Sequence, residues 1–146
     1  MAGLDDFARR MNRIAVRVEG NVDRAVKDCA IAVARSVISN TPADTGRARS
    51  NWTAQMDSAF AGLFPARVPG IAGSTAEANA VAAIDAAEQV IETFDIEKNA
   101  SIHVTNNLPY IGALNDGHSE QAPANFVRIA VLDGLATVRG AKIVGK

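Results

Sequence analysis

One apolar stripe constrains this chain more than any other feature. Leu4, Phe7, Met11, Ile14, Val18, Val22, Val26, Cys29, Val33 and Val37 recur at steps of three and four residues, the spacing that puts side chains on one face of an α-helix. A helix of about 35 residues spans about 50 Å at a rise of about 1.5 Å per residue. That is long for a chain of 146 residues, so its ends are expected to project toward a neighbour. Gly20-Asn21 is where a kink or a split is expected. Arg9, Arg10, Arg13, Arg17, Arg24, Lys27 and Arg35 fall mainly off the stripe and read as a solvated basic face. Pro42 closes the helix, because the residue before a proline avoids the helical region.

Beyond Pro42 the segment NTPADTGRARSNW, residues 40–52, is expected to lie outside helix and strand and to lead into a strand from Asn51 to Met56. Residues 62–73, GLFPARVPGIAG, read as a loop or arm with Leu63, Phe64 and Val68 on its outside. The protruding stretch, residues 60–74, either tucks back on the domain or inserts into a partner. Ser74, with Glu77 three residues on, forms a capping-box pattern ahead of an alanine-rich helix over residues 75–94. Its apolar side is expected to be Val81, Ile84, Val90, Ile91 and Phe94. SIHVT, residues 101–105, alternates as a strand, with Ile102 and Val104 on one face and His103 on the other. A short helical or irregular stretch from Tyr110 to Leu114, a loop, and a last buried helix from Phe126 to about Thr137 complete the pattern. Phe126, Ile129, Ala130 and Leu132 to Leu135 would supply that last helix's buried side. The fold class is therefore α+β: a long N-terminal helix and further helices packed on a small antiparallel sheet, with long ordered loops, in one domain over residues 1–146.

Composition matters where it excludes function classes. Only 5 % of residues are aromatic while 48 % are apolar, so the core is built from small side chains. A chain this long buries roughly two thirds of its unfolded surface and needs no metal or disulfide staple. Cys29 is alone, which rules out an internal disulfide and suggests a reducing compartment. The start, MAGLDDFARR, puts acids where a secretion signal needs bases, and no apolar run approaches the roughly 20 residues of a membrane span. The acceptor triplets Asn51-Trp52-Thr53 and Asn99-Ala100-Ser101 carry no weight without export.

Net charge is only −1, yet residues 57–120 carry nine acids against Arg67 and Lys98, so the remainder is positive. Such polarity suits head-to-tail contact between copies, although folding can equally mix the two signs in space. Catalysis finds no support. There is no GxSxG elbow, and Asp116-Gly117-His118 lacks a third group to orient a base. His103 and His118 stand fifteen residues apart with scattered acids, without metal-ligand spacing, and phosphate loops and dinucleotide fingerprints are absent. No catalytic, cofactor or metal site is expected. Dedicated nucleic-acid binding needs several phosphate contacts on one basic, aromatic-bearing face, which a slightly acidic chain poor in aromatics does not offer.

Two motifs resemble the neck and tail-completion proteins of long-tailed bacteriophages, the minor tail protein Z type. The first is similar to T-P-x-D-T-G-x-x-R-x-x-W, met by Thr41, Pro42, Asp44, Thr45, Gly46, Arg49 and Trp52. The second is similar to N-N-x-P-Y followed by G-x-S-x-Q-A-P, met by Asn106, Asn107, Pro109, Tyr110, Gly117, Ser119, Gln121, Ala122 and Pro123. The chain departs from the pattern at Asn115, where relatives often carry an acid, and at Asn125, where glycine is common. The resemblance implies an α+β virion protein without catalysis, located in the neck or tail and assembled in the host cytoplasm. It would form a ring at the head–tail junction and meet other neck, tail-terminator and tail-tube proteins, with at most transient DNA contact and no membrane. Closure on a template would leave isolated copies as monomers. The alternative is a soluble nucleic-acid or regulatory binding module using the basic face of the first helix.

Within that resemblance Asp44 is expected to accept from the amides of Thr45 and Gly46 in an Asx turn, with Gly46 at positive φ. Arg47 and Arg49 would then be held at a fixed angle toward carboxylates of a neighbour while Trp52 anchors the next strand. The competing reading is an internal clamp between helix and sheet. Asn106, Asn107, Tyr110, Gln121 and Pro123 form the counterpart surface, with the amides tying two loops together. The assembly interface so expected comprises Asp44, Thr45, Gly46, Arg47, Arg49, Trp52, Asn106, Asn107, Tyr110, Gln121 and Pro123.

Overall fold

The computed structural model describes residues 2–117 and 124–144. The apolar stripe forms one unbroken helix, α1 (Ala2–Asn40), so Gly20-Asn21 neither kinks nor splits it. A Cβ at Gly20 would meet nothing within 4 Å, so the glycine costs only its flexibility there, which the rest of so long a helix absorbs. A one-turn helix α2 (Arg47–Ser50) follows the Pro42 bend, and then β1 (Thr53–Met56). An extended arm leads to α3 (Ala76–Ile91), β2 (Ile102–Thr105), the short α4 (Ile111–Asn115) and α5 (Phe126–Gly140). The two strands pair antiparallel with Thr53 opposite Thr105 and Met56 opposite Ile102. The class is α+β.

Small residues set how closely these pieces approach. Ala34, Val37 and Ile38 of α1 meet Ala80, Ala83, Ala87 and Ile91 of α3, with Trp52, Phe126 and Ala130 completing the core. On α3 the buried stripe is therefore alanine with Asn79 and Ile91; of the residues expected inside, Ile91 and Phe94 are buried and Ile84 half-buried, while Val81 and Val90 face outward. Alanine wins because the helix lies too close to α1 for a larger side chain. The capping box also fails to form. Thr75 is the N-cap residue without a side-chain cap, and Ser74 Oγ instead accepts from the Ile71 amide at 3.2 Å.

Helix α5 lies antiparallel on the second half of α1. Ser36 Oγ donates to Asp133 at 2.6 Å, Asn21 reaches the Ile143 carbonyl at 2.8 Å, and Gly134 sits between them against Cys29 and Val33. A Cβ at Gly134 would lie 2.5 Å from Val33 Cγ2, so only glycine allows this crossing. Phe126, Ala130 and Gly134 are buried, whereas Ile129, Leu132 and Leu135, expected inside, are exposed. The crossing is again too close for their size. Residues 3–17 of α1 are exposed throughout, with Leu4 at 62 % and Phe7 at 58 %. The helix projects beyond its packed half by about 22 Å.

Candidate functional site

The two motif segments meet at one end of the core, around the C-terminus of α1 and the N-terminus of α3. Thr41, fully buried, is the node. Its hydroxyl donates to the Val37 carbonyl and accepts from the Trp52 indole at 2.8 Å, so the tryptophan is anchored to the helix end as well as packed in the core. Arg49 grips three main-chain carbonyls: Nε donates to Thr41 at 2.8 Å, Nη2 to Ser39 at 3.0 Å and Nη1 to Ala76 at 3.1 Å. Two of these carbonyls end α1, where orphan acceptors and the negative helix end favour a cation. Burial lowers the Arg49 pKa, with Glu77 opposing the shift. Arg49 and Trp52 thus make their hydrogen bonds inside the chain. Arg47 is exposed, and among the described residues its guanidinium meets no carboxylate.

Gly46 has φ +86°, and a Cβ there would lie 2.1 Å from Asn79 Nδ2. Both the left-handed backbone and the close approach demand glycine. Asp44 does not cap its own turn. Its Oδ1 accepts from the Ala72 amide at 2.6 Å and its carbonyl from the Gly73 amide at 2.9 Å, so it reaches across to the end of the arm.

The arm is held the same way along its length. Asn79, fully buried on α3, accepts through Oδ1 from Ser50 Oγ at 2.8 Å and from the Val68 amide at 2.9 Å. Its Nδ2 donates to the Val68 carbonyl at 2.7 Å and to the Thr75 carbonyl at 2.9 Å. Ser50 Oγ accepts from the Arg67 amide at 2.9 Å. Asn51 pairs with both main-chain groups of Phe64, at 2.7 and 2.8 Å. Asn107 donates to the carbonyls of Phe60 and Gly62, at 2.7 and 3.1 Å, and Asn106 donates to Ala48 of α2 at 2.8 Å. The two asparagines of the second motif therefore tie loops together, one to the arm and one to the first motif. Tyr110 stands beside them, 42 % exposed. Gln121 and Pro123 lie outside the described residues.

With its main chain anchored, the arm turns its side chains outward. Phe60 and Phe64 stack at 5.3 Å, Arg67 lies 6.0 Å over Phe64, and Ile71 is 78 % exposed. Thr45 and Arg47 join Leu63, Phe64, Pro65 and Pro69 around an open groove of about 590 Å³. Asn79, Ser50 and Asn51 were not expected to matter. The available signal was an asparagine on the one stripe of α3 where every other buried residue is apolar.

Chemistry finds little here. Ser101 Oγ, just before β2, and His103 Nε2 on that strand are 2.9 Å apart. Asp57 is occupied by Asn99 Nδ2 and the amides of Ala100 and Ser101, and makes no hydrogen bond to the imidazole. No oriented base results. Among the described residues no group of His, Cys, Asp and Glu is arranged to hold a metal ion, and no helix is long and apolar enough to cross a membrane.

A family model described as "Bacteriophage HK97-gp10, putative tail-component" matches residues 5–117. The chain belongs to the HK97-gp10-like family. That match takes in the projecting half of α1, the first motif, the arm, α3 and the Asn106-Asn107 pair, while α5 lies beyond it. No curated protein and no solved structure matches the chain significantly. The family places this HK97-gp10-like protein among phage tail components.

Proposed function

We propose that this HK97-gp10-like chain is a non-enzymatic virion protein that forms a ring at the head–tail junction and completes or joins the phage tail. The observation that carries the reading is the arm, an extended segment without helix or strand whose peptide groups are fixed by six side chains and whose apolar residues face solvent. A surface held rigid yet left uncovered suits docking, because little conformational freedom remains to be lost on contact.

Within the expected interface the work divides. Asp44, Gly46, Arg49, Trp52, Asn106 and Asn107 hold the scaffold. Thr45, Arg47 and Tyr110, with Leu63 and Ile71 of the arm, present the face to neck, tail-terminator or tail-tube proteins in the virion. Assembly would occur in the host cytoplasm, with no more than passing DNA contact.

The test uses a phage lacking this gene, complemented with variants. Arg47→Glu combined with Leu63→Ser and Ile71→Ser should give a folded protein with unchanged thermal midpoint and no head–tail joining. Arg49→Met should lower the midpoint itself. Infectious particles at normal yield from the triple variant would refute the docking face. Absence of the protein from purified wild-type virions would refute the virion assignment.

A further inference from the structure

The projecting half of α1 carries Leu4, Phe7, Met11 and Ile14 on one face, 46–62 % exposed, with nothing among the described residues packed on them. Their spacing is that of a helix seam. The two edges of the seam differ: Ala8 and Ala15 lie on one side, Arg10 and Arg17 on the other. Arg10, Arg13 and Arg17 meet no carboxylate among the described residues, and Arg9 only reaches Asp6 at 3.9 Å.

Further along the same helix lies what this seam lacks. Val22, Val26, Cys29 and Val33, with Val104 of β2 and Ile143, wall an apolar groove of about 590 Å³. Glu19 lies three residues before Val22 and so on the same side of the helix, where it lines a separate groove. Beside Glu19 stand Asp95 and Glu97, and repulsion from Glu97 raises the Glu19 pKa, with burial adding to it. Lys27 at this spot is already paired with Asp23 at 3.0 Å. Lys98 likewise pairs with Asp95 at 3.8 Å, so Glu19 and Glu97 are the acids left without a cation and form a negative edge.

We propose that the projecting half of α1 docks head-to-tail into the α1–β2–α5 groove of a second copy of this chain, with Arg10 and Arg17 against the partner's Glu19–Glu97 edge. The occupant cannot be the same molecule, because one straight helix supplies both seam and wall. Pairing of two seams with each other in antiparallel fashion would bring Arg10 of one copy against Arg17 of the other, which like charge disfavours. Seam to groove instead matches apolar with apolar and cation with anion. Each copy then gives one surface and receives on a different one, the arrangement that closes into a ring when the rotation allows. This inference rests on the ring reading and assigns its contact.

The experiment is cross-linking of full-length protein, in solution and in assembled particles, carrying Ala8→Cys and Ala25→Cys with Cys29→Ala. Positions 8 and 25 lie about 25 Å apart on one helix, so a short bis-maleimide joining them reports two copies. The expected result is a ladder of dimers, trimers and larger species whose mapped links are 8 to 25. Arg10→Glu with Arg17→Glu should weaken the ladder at least tenfold, and adding Glu19→Arg with Glu97→Arg should restore it. Links only between two copies of position 8 would overturn the proposal in favour of a symmetric pair. A ring seen in particles without 8-to-25 links overturns it while leaving the ring reading intact, and monomers in both settings overturn both. If the arginine reversals leave the ladder unchanged but abolish salt-sensitive binding of labelled duplex DNA, the basic face belongs to nucleic acid.

Discussion

Replacing Asn79 with alanine should release the arm without unfolding the helices. The amide makes two hydrogen bonds to the main chain of Val68, one to Ser50 and one to the Thr75 carbonyl. Val68 is exposed, so its peptide groups turn to water once the arm lifts, and losing those two bonds costs about 1 kcal/mol each. Ser50 is fully buried and has no such escape, and its unpaired hydroxyl donor costs roughly 1–3 kcal/mol. The better helix propensity of alanine returns about 0.5 kcal/mol. The net loss of about 2.5–4.5 kcal/mol is a large part of the roughly 5–15 kcal/mol typical of a domain. At roughly 3 °C per kcal/mol for a chain of this size, calorimetry should show the midpoint falling by about 7–14 °C. Amide exchange localises the effect. The amides of Arg67 and Val68, whose acceptors are Ser50 Oγ and Asn79 Oδ1, should exchange much faster, while the α1–α5 contact keeps its protection. Asn79→Asp should be worse than Asn79→Ala, since it turns a carboxylate oxygen toward the carbonyls of Val68 and Thr75. A midpoint within about 2 °C of wild type, or unchanged exchange at Arg67 and Val68, would refute the brace.

Two further perturbations probe other joints. Gly134→Val should shift the urea midpoint down by the equivalent of about 1–3 kcal/mol, because its Cβ alone would meet Val33 Cγ2 at 2.5 Å. Val33→Ala in the same chain should recover part of the loss, and a midpoint unmoved by Gly134→Val would mean the helices do not cross there. Asp57 has its pKa lowered, chiefly by the hydrogen bond from Asn99 and then by the Ala100 amide. A depressed carboxylate contributes stability that is present above its unfolded value of about 3.9 and lost as pH falls through the folded value. Asp57→Asn should therefore flatten the acid side of the stability–pH curve below about pH 4, with little change in slope above it. Acid titrations that superimpose would disprove the assignment.

The helices were legible in the sequence wherever period and size agreed. The α1 stripe, the strand Ile102–Thr105 and the end of the helix at Pro42 follow from local rules. What misled was apolarity taken alone. Val81, Val90, Ile129, Leu132 and Leu135 look like core, yet alanine and Gly134 occupy the close contacts and leave the larger residues outside. Closeness of helices is a tertiary fact that no single segment states. The Asp-Thr-Gly bend was read correctly at Gly46, but Asp44 bonds to Ala72, 28 residues away, instead of to its own turn. Arg49 shows the same lesson. Its spacing in the motif marked it as important, but whether it faces a neighbour or three carbonyls of its own chain depends on where α3 begins in space. Asn79 escaped notice because its partners, Ser50 and Val68, are distant in sequence.

The brace around residues 60–73 touches peptide groups almost exclusively, and peptide groups are the same whatever amino acid carries them. Natural variation can therefore rewrite what the arm shows to its surroundings while the fold stays indifferent. Under the docking proposed for the arm, folding and recognition are written in separate sets of letters, so that changes in the docking face leave the stability of the fold untouched.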